Sequence, residues 1–151
     1  MAIDRLMKTV LVPVSESEEE AVRVERTVLD CPFNREEVRC VVLNVFEEFK
    51  VKSAEWSAID SADFYDEQFP KVAATVASNF AEAGFTVDVR REHGKLAETI
   101  LAVADEVDAS AIVIAGRKRS PVGKALFGSV TQEVLLSANI PVVVGPSTTI
   151  E

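Results

Sequence analysis

The sequence predicts one α/β domain built on a parallel sheet, and two observations support this. Short apolar runs rich in valine and isoleucine recur along the 151 residues, and most are followed by a stretch whose apolar positions keep helical spacing. Strands and helices that alternate in this way form parallel sheets with right-handed crossovers and helices on both faces. A chain of this length fits one ordinary domain. We therefore expect residues 1–151 to form a single domain, with residues 145–151 as a tail.

The first predicted unit is a strand, a tight loop and a helix. The run KTVLVPV, residues 8–14, predicts a central strand, with Pro13 near its carboxyl end where the hydrogen-bond ladder finishes. Ser17 is predicted to cap the helix that follows, with Glu20 as its capping-box partner. The apolar face of that helix is predicted to comprise Ala21, Val22, Val24, Val28 and Leu29.

The same patterns predict four more strands and three more helices. The predicted strands cover residues 38–46, 85–90, 111–115 and 141–144, and the predicted helices cover residues 70–83, 95–107 and 129–138. Residues 85–90 alternate between apolar and polar, which is typical of a strand at the edge of a sheet. His93 and Gly94 are expected in the turn after that strand, with His93 solvated.

Residues 46–69 contain six of the ten aromatic residues, mixed with acidic and small ones. A structureless loop of this length is unusual in a compact domain, so we expect the segment to pack over the strand ends. Stacking of one of its rings, such as Trp56 or Tyr65, on a nucleobase is the alternative interpretation.

Composition excludes several classes of function. A formal net charge of −9 argues against general nucleic-acid binding, and no apolar run is long enough to span a membrane. Cys31, Cys40 and His93 form no metal-ligand pattern, so no metal site is predicted and both cysteines are expected to be small buried hydrophobes. The N-terminus lacks a signal-peptide pattern, and we expect a soluble cytoplasmic protein.

The stretch AIVIAGRKRSPVGKALFGS, residues 111–129, holds the main functional signal. Its apolar start predicts a buried strand that ends at Gly116, and a loop with Arg117, Lys118, Arg119 and Lys124 follows. Gly128 then precedes a helix, for which Ser129 and Gln132 predict a capping box. Because a helix N-terminus carries free N–H groups and partial positive charge, this loop predicts an anion site; the alternative is an ordinary solvated loop.

The segments VLVPVS, VVLNVF, IVIAG, RSPVGKALFGSVTQEVLL and PVVV give the whole chain a resemblance to the universal stress protein family. The resemblance implies a five-stranded parallel sheet of order 3-2-1-4-5 with helices on both faces, the adenine-nucleotide α-hydrolase-like fold. It also implies a homodimer paired through the last strand. Bare Val142, Val143 and Val144 at an open edge would suit that pairing.

Family members that bind ATP carry glycine, two residues, glycine, nine residues, then glycine with serine or threonine. Gly128 and Ser129 match the end of this motif, whereas Lys118 stands where the second glycine belongs. The first glycine position falls on Ala115, or on Gly116 if the loop is one residue shorter. Ser15 stands where ATP-binding members carry an aspartate that contacts the nucleoside. The nucleotide-binding residues that the resemblance implies are Pro13, Val14, Ser15, Val45, Ala115, Gly116, Arg117, Lys118, Arg119, Gly128, Ser129 and Val130.

The resemblance predicts a stress-response regulatory protein that binds an adenine nucleotide, ATP with or without Mg²⁺, and hydrolyses it slowly or not at all. No catalytic residue is predicted, because the Walker A and dinucleotide-binding glycine patterns are both absent. Two alternatives stay open: a dimeric protein-interaction module that binds no nucleotide, and a weak ATP hydrolase.

Overall fold

A computed structural model describes residues 7–46, 70–115 and 128–145. Within these ranges, five strands and four α-helices alternate along the chain. In chain order they are β1 (Lys8–Pro13), α1 (Glu18–Asp30), a 3₁₀ turn (Arg35–Glu37), β2 (Val38–Phe46), α2 (Lys71–Glu82), β3 (Thr86–His93), α3 (Leu96–Glu106), β4 (Ala111–Ile114), α4 (Ser129–Ser137) and β5 (Val142–Val144). The aromatic segment predicted to cover the strand ends lies outside the described residues from residue 47 to residue 69.

The five strands form one parallel sheet of order β3-β2-β1-β4-β5, which confirms the predicted fold class. Strand β1 lies at its centre, since Val10 is opposite Cys40 of β2 on one side and opposite Ala111 of β4 on the other. Pro13 closes the β1 ladder, as expected for a residue without an amide hydrogen.

Alternate side chains of the strands supply two cores, one on each face of the sheet. Helices α1 and α2 cover the first core, where Val10 and Val12 of β1 meet the fully buried Phe80 of α2. Helices α3 and α4 cover the second, where Leu11 packs with Ile100 of α3 and other apolar residues. Buried β-branched side chains on both faces explain why the central strands read as continuous apolar runs.

Two predictions about the periphery were wrong. Val22 is 49% exposed, so it does not belong to the buried face of α1. His93 is the last residue of β3 rather than a turn residue, and its ring lies 5.2 Å from the ring of Phe46. The strand extends this far because β2 itself continues to Phe46 and pairs with His93.

The two edge strands of the sheet differ in charge. Strand β3 carries outward charges, and Arg90 forms 2.7 Å ion pairs with Glu92 and with Glu106 of α3. Strand β5 consists of Val142–Val144, half-buried and without a charged side chain. In the described ranges no helix is long and apolar enough to cross a membrane.

The two cysteines have different environments. Cys40 is fully buried in β2, as predicted, whereas Cys31, the residue that ends α1, is half-buried and so departs from the prediction. Burial raises the pKa of the Cys40 thiol to about 12 from 9.0, and burial followed by the nearby Asp30 charge raises the pKa of Cys31.

The Cys40 pKa predicts a loss of stability in alkali. Above about pH 9 the unfolded chain releases the thiol proton that the folded chain keeps until about pH 12, so unfolding becomes easier as the pH rises through this window. The thiol contributes at most about 1.4 kcal/mol per pH unit. Urea unfolding of the parent and of Cys40→Ala at pH 8 and pH 10.5 should give a smaller pH-dependent loss in the variant. Cys31→Ala, the control, should retain most of the loss, and equal losses in parent and Cys40→Ala would contradict the assignment.

Candidate functional site

A cleft of about 820 Å³ opens beyond the carboxyl ends of β1, β2 and β4. This is the point where the winding reverses, because the chain leaves β1 toward α1 on one face and leaves β4 toward α4 on the other. Open α/β sheets bind ligands at such switch points. The described residues that line it are Pro13, Val14, Ser15, Glu16, Ser17, Glu19, Glu20, Arg23, Val24, Leu43, Asn44, Val45, Phe46, Leu96, Ile100, Ile114, Ala115, Gly128, Ser129, Val130 and Thr131.

The structure brings together the predicted nucleotide-binding residues that it describes. The eight that line this cleft are Pro13, Val14, Ser15, Val45, Ala115, Gly128, Ser129 and Val130. Gly116, Arg117, Lys118 and Arg119 lie outside the described residues. The predicted dimer residues, Val142, Val143 and Val144, lie apart from the cleft lining, on the edge strand β5.

One wall of the cleft is the start of α4. Gly128 is the residue that caps this helix, and no side chain in the described part of the chain caps its first turn. The predicted capping box was therefore wrong, because Ser129 is the first helical residue and its hydroxyl is one position too late to cap the helix. The first internal bond runs from the Gln132 N–H to the Gly128 carbonyl, 3.0 Å. Among the described residues, the N–H groups of this first turn have no side-chain acceptor, and the turn lines the cleft, which is the usual arrangement of an anion site.

The opposite wall is the start of α1, where a network of side chains replaces the predicted capping box. Ser17 caps the helix by accepting the Glu20 N–H at 3.3 Å, as predicted. The Glu20 carboxylate, however, accepts the Ser15 hydroxyl at 2.8 Å instead of bonding back to Ser17. The Ser17 N–H donates to Ser15 Oγ at 3.2 Å. Ser15 therefore holds Glu20 at the mouth of the cleft.

The two helix N-termini thus differ in charge. Helix α1 has three acidic residues in its first turn and a side-chain cap, whereas α4 has neither. Acidic side chains offset the partial positive charge of a helix start. The first turn of α4 therefore suits an anionic group better than the first turn of α1 does.

Asn44 of β2 lies at the floor of the cleft and was not predicted. It is 2% exposed, and its Nδ2 donates to the Val14 carbonyl at 3.2 Å, which ties β2 to the end of β1. Its Oδ1 is buried and has no hydrogen-bond partner among the residues that the structure describes. The sequence signal was a single polar residue inside the run VVLNVF, an unusual residue for a strand buried on both faces.

Arg23 of α1 was also missed. Its side chain is 6% exposed and lines the cleft, with Nη1 3.7 Å from Glu19 Oε2. A buried arginine one turn after three glutamates could have been noticed from the spacing, since residues i and i+4 share a helix face. It brings a positive charge to the inner part of the α1 wall.

The arrangement can hold a ligand with an anionic end, a flat apolar part and hydrogen-bond donors. Pro13, Val14 and Val45 supply apolar surface between the two polar walls. In the described part of the chain, no group of three or more histidine, cysteine, aspartate or glutamate residues could bind a metal ion.

Comparisons with known proteins give consistent results. The model of the universal stress protein family matches residues 7–146. A universal stress protein of Mycolicibacterium smegmatis is 40% identical over 68 residues, which are 44% of this chain and 52% of that protein. The match therefore spans about half the length of that relative.

Solved structures are similar over nearly their full length. The universal stress protein from Archaeoglobus fulgidus is 29% identical with a TM-score of 0.66, covering 92% of this chain and 98% of its own. A structure of the universal stress protein from that organism with dAMP is 23% identical, with a TM-score of 0.64 and coverages of 93% and 99%. A universal stress protein in complex with cAMP is 17% identical, with a TM-score of 0.63 and coverages of 95% and 99%.

The family model covers almost the whole chain, and the sheet order is the one that the family resemblance implied. The chain belongs to the universal stress protein family.

Proposed function

We propose that this protein binds an adenine nucleotide, ATP or Mg-ATP, in the cleft and serves as a regulatory binding protein of the stress response. The observation that carries the proposal is the pairing of an uncapped helix start at Gly128 with an apolar wall at the ends of β1 and β2. The first suits phosphate and the second suits a base.

The phosphate end rests on α4. The first turn of this helix lines the cleft with Gly128, Ser129 and Val130, where its N–H groups would bind phosphate. In the sequence, Arg117 and Lys118 belong to the loop between β4 and α4, where cations would add to the attraction for phosphate. Any Mg²⁺ would bind as part of the Mg-ATP complex, coordinated by the phosphates of the nucleotide.

The nucleoside end rests on β1 and β2. Pro13, Val14 and Val45 offer apolar contact to a base. Relatives solved with dAMP and with cAMP favour adenine nucleotides. For hydrolysis we expect little or none, since the chain has no Walker A pattern. A cytoplasmic location would suit the two free cysteines.

A charge placed at the start of α4 tests the phosphate end. Ser129→Asp puts a carboxylate at the first helical position, which favours the helix but repels phosphate. With Mg-ATP at a hundred times its dissociation constant, the parent should gain about 2.7 kcal/mol and about 5 °C in melting temperature. Ser129→Asp should melt at or above the parent without ligand and lose the gain.

Ser129→Asn is the matched uncharged control and should keep most of the gain. A full ATP-dependent gain in Ser129→Asp would contradict the placement of the phosphates. No gain in the parent would favour the protein-interaction alternative, and ATP turnover that disappears in Ser129→Asp would favour the hydrolase.

We also propose that two copies pair through β5. An apolar edge strand without charges is open to strand addition, whereas the opposite edge, β3, carries the Arg90 ion pairs. A two-fold axis would place each β5 beside its copy.

Val144→Lys tests this pairing, since Val144 belongs to neither core cluster, whereas Val143 packs on the first. Two lysines across a two-fold axis repel, so the variant should sediment as a monomer at concentrations where the parent is a dimer. Val89→Lys, on the opposite edge, should leave the dimer intact. Dimers that survive Val144→Lys and dissociate with Val89→Lys would place the interface on β3.

A further inference from the structure

Helix α1 carries a buried positive charge one turn after its glutamates, and this charge lines the cleft. We propose that the Arg23 guanidinium binds a phosphate of the nucleotide, and that Glu19 competes with phosphate for it. The inference rests on the proposed function and deepens it in two ways. It adds a phosphate-binding residue from α1 to the start of α4, and it makes the affinity depend on the charge of the nucleotide.

Arg23 is part of the wall of the cleft and not of the outer surface. Its side chain is 6% exposed, and it belongs to both the buried face of α1 and the lining of the cleft. A guanidinium is a fixed positive charge, and a charge taken out of water needs anions or hydrogen-bond acceptors around it. Arg26, the other arginine of the helix, is exposed and is not among the described residues that line the cleft. Arg23 is therefore the arginine of α1 that a ligand in the cleft would meet.

Thr27 shows which strands this face of α1 covers. It lies one turn after Arg23 on the same face, and its hydroxyl donates to the Arg23 carbonyl at 2.8 Å. Gly145, directly after β5, packs so closely on Thr27 that a side chain at this position would overlap the hydroxyl. The Gly145 N–H donates to the carbonyl of Ile114, the last residue of β4, at 3.0 Å. This face of α1 therefore lies at the carboxyl ends of β4 and β5.

That location is the side of the cleft on which we propose that the phosphates bind. The chain leaves the sheet there after β4 and returns as α4, whose first residues, Gly128 and Ser129, line the same cleft. The apolar residues proposed to contact the base, such as Pro13 and Val45, belong to β1 and β2 instead. A phosphate chain could therefore bind between the N–H groups of α4 and the guanidinium of Arg23.

Glu19 is placed to compete with phosphate for this guanidinium. Its Oε2 atom lies 3.7 Å from Arg23 Nη1, and its side chain is 62% exposed and lines the cleft. An ion pair with so exposed a carboxylate is weak, so breaking it costs little. Phosphate oxygens match the fork of a guanidinium and can accept two parallel N–H bonds from it. A phosphate in the cleft would therefore replace Glu19 at Arg23.

A purely structural role for Arg23 is the alternative, and nucleotide charge separates the two. If Arg23 only held α1 in place, its loss would weaken the binding of every adenine nucleotide by the same factor. The attraction between a fixed charge and a ligand grows with the charge of the ligand. A phosphate-binding Arg23 therefore favours ATP more than AMP, and the ratio of the two affinities reports its role.

The first test is calorimetric titration of the full chain with ATP and with AMP at one fixed salt concentration. In Arg23→Gln the affinity for ATP should fall about tenfold, the effect of one charge-assisted hydrogen bond, and the affinity for AMP about threefold or less. Arg23→Lys keeps the charge and should recover part of the ATP affinity. Arg26→Gln, the matched control, removes the same charge from an exposed site of the same helix and should keep both affinities within about twofold.

The second test removes the competitor. Glu19→Gln should raise the affinity for ATP about threefold, the scale of an exposed ion pair, and should raise it less in the Arg23→Gln background. Glu18→Gln removes the same charge from the same turn but not from the described lining of the cleft, so it should leave the affinity for ATP unchanged. An equal gain from Glu19→Gln in both backgrounds would mean that Glu19 only repels phosphate, and would overturn the competition.

Equal losses of ATP and AMP affinity in Arg23→Gln, or no loss of either, would overturn the inference while leaving nucleotide binding intact. If the melting curve shows that Arg23→Gln is unfolded, the exposed Glu19→Gln decides, and an ATP-to-AMP ratio no higher than that of the parent would overturn the inference. A parent that binds neither nucleotide would overturn the proposed function, and the inference with it.

Discussion

The central position of β1 is the constraint on which the rest of the structure depends. Its backbone pairs with β2 on one side and with β4 on the other, and its side chains enter both cores. Because β1 is paired on both sides, the chain can leave the sheet only at the end of this strand. The next helix then covers one face while the helix after β4 covers the other, and the two diverge. The cleft is the space left by that divergence, so it follows from topology before any polar residue is considered.

The chemistry of the cleft depends on the N-termini of two helices, which differ in their capping residues and in their acidic residues. Helix α1 begins with a serine cap, which accepts one backbone N–H, and with three glutamates, which offset the helix dipole. Helix α4 begins at a glycine with neither device. The two helix starts on opposite sides of the cleft therefore differ in charge and in capping.

Much of the fold and part of the cleft lining were predictable from the sequence. The runs KTVLVPV and VRCVVLNVF needed only the rule that strands buried on both faces are continuously apolar, and β2 has the predicted bounds. Of the predicted site residues, the ones that the structure describes line the cleft, because they follow strands or precede a helix whose ends topology brings together. Their role toward a nucleotide stays a prediction.

The features that the sequence did not predict depend on contacts between side chains and groups that only the folded chain brings together. Glu20 fits a capping-box pattern, yet its carboxylate turns to Ser15 because the β1–α1 turn brings that hydroxyl within 2.8 Å. Asn44 is an unusual residue for a buried strand, and only the structure shows that its amide donates to the Val14 carbonyl. Val22 fits the helical period but lies past the buried stripe. Periodicity indicates which face is buried, not where a polar side chain finds its partner.

The central claim is that the nucleotide occupies this cleft with its phosphates at the start of α4. It is tested most directly by titrating ¹⁵N-labelled protein with Mg-ATP and following the backbone amide resonances. The account predicts the largest shifts at Ser129 and Val130, which would bind phosphate, with smaller ones at Ser15 and Val45 on the nucleoside side. Saturable shifts confined to the edges of the sheet, with these four amides unmoved, would contradict it.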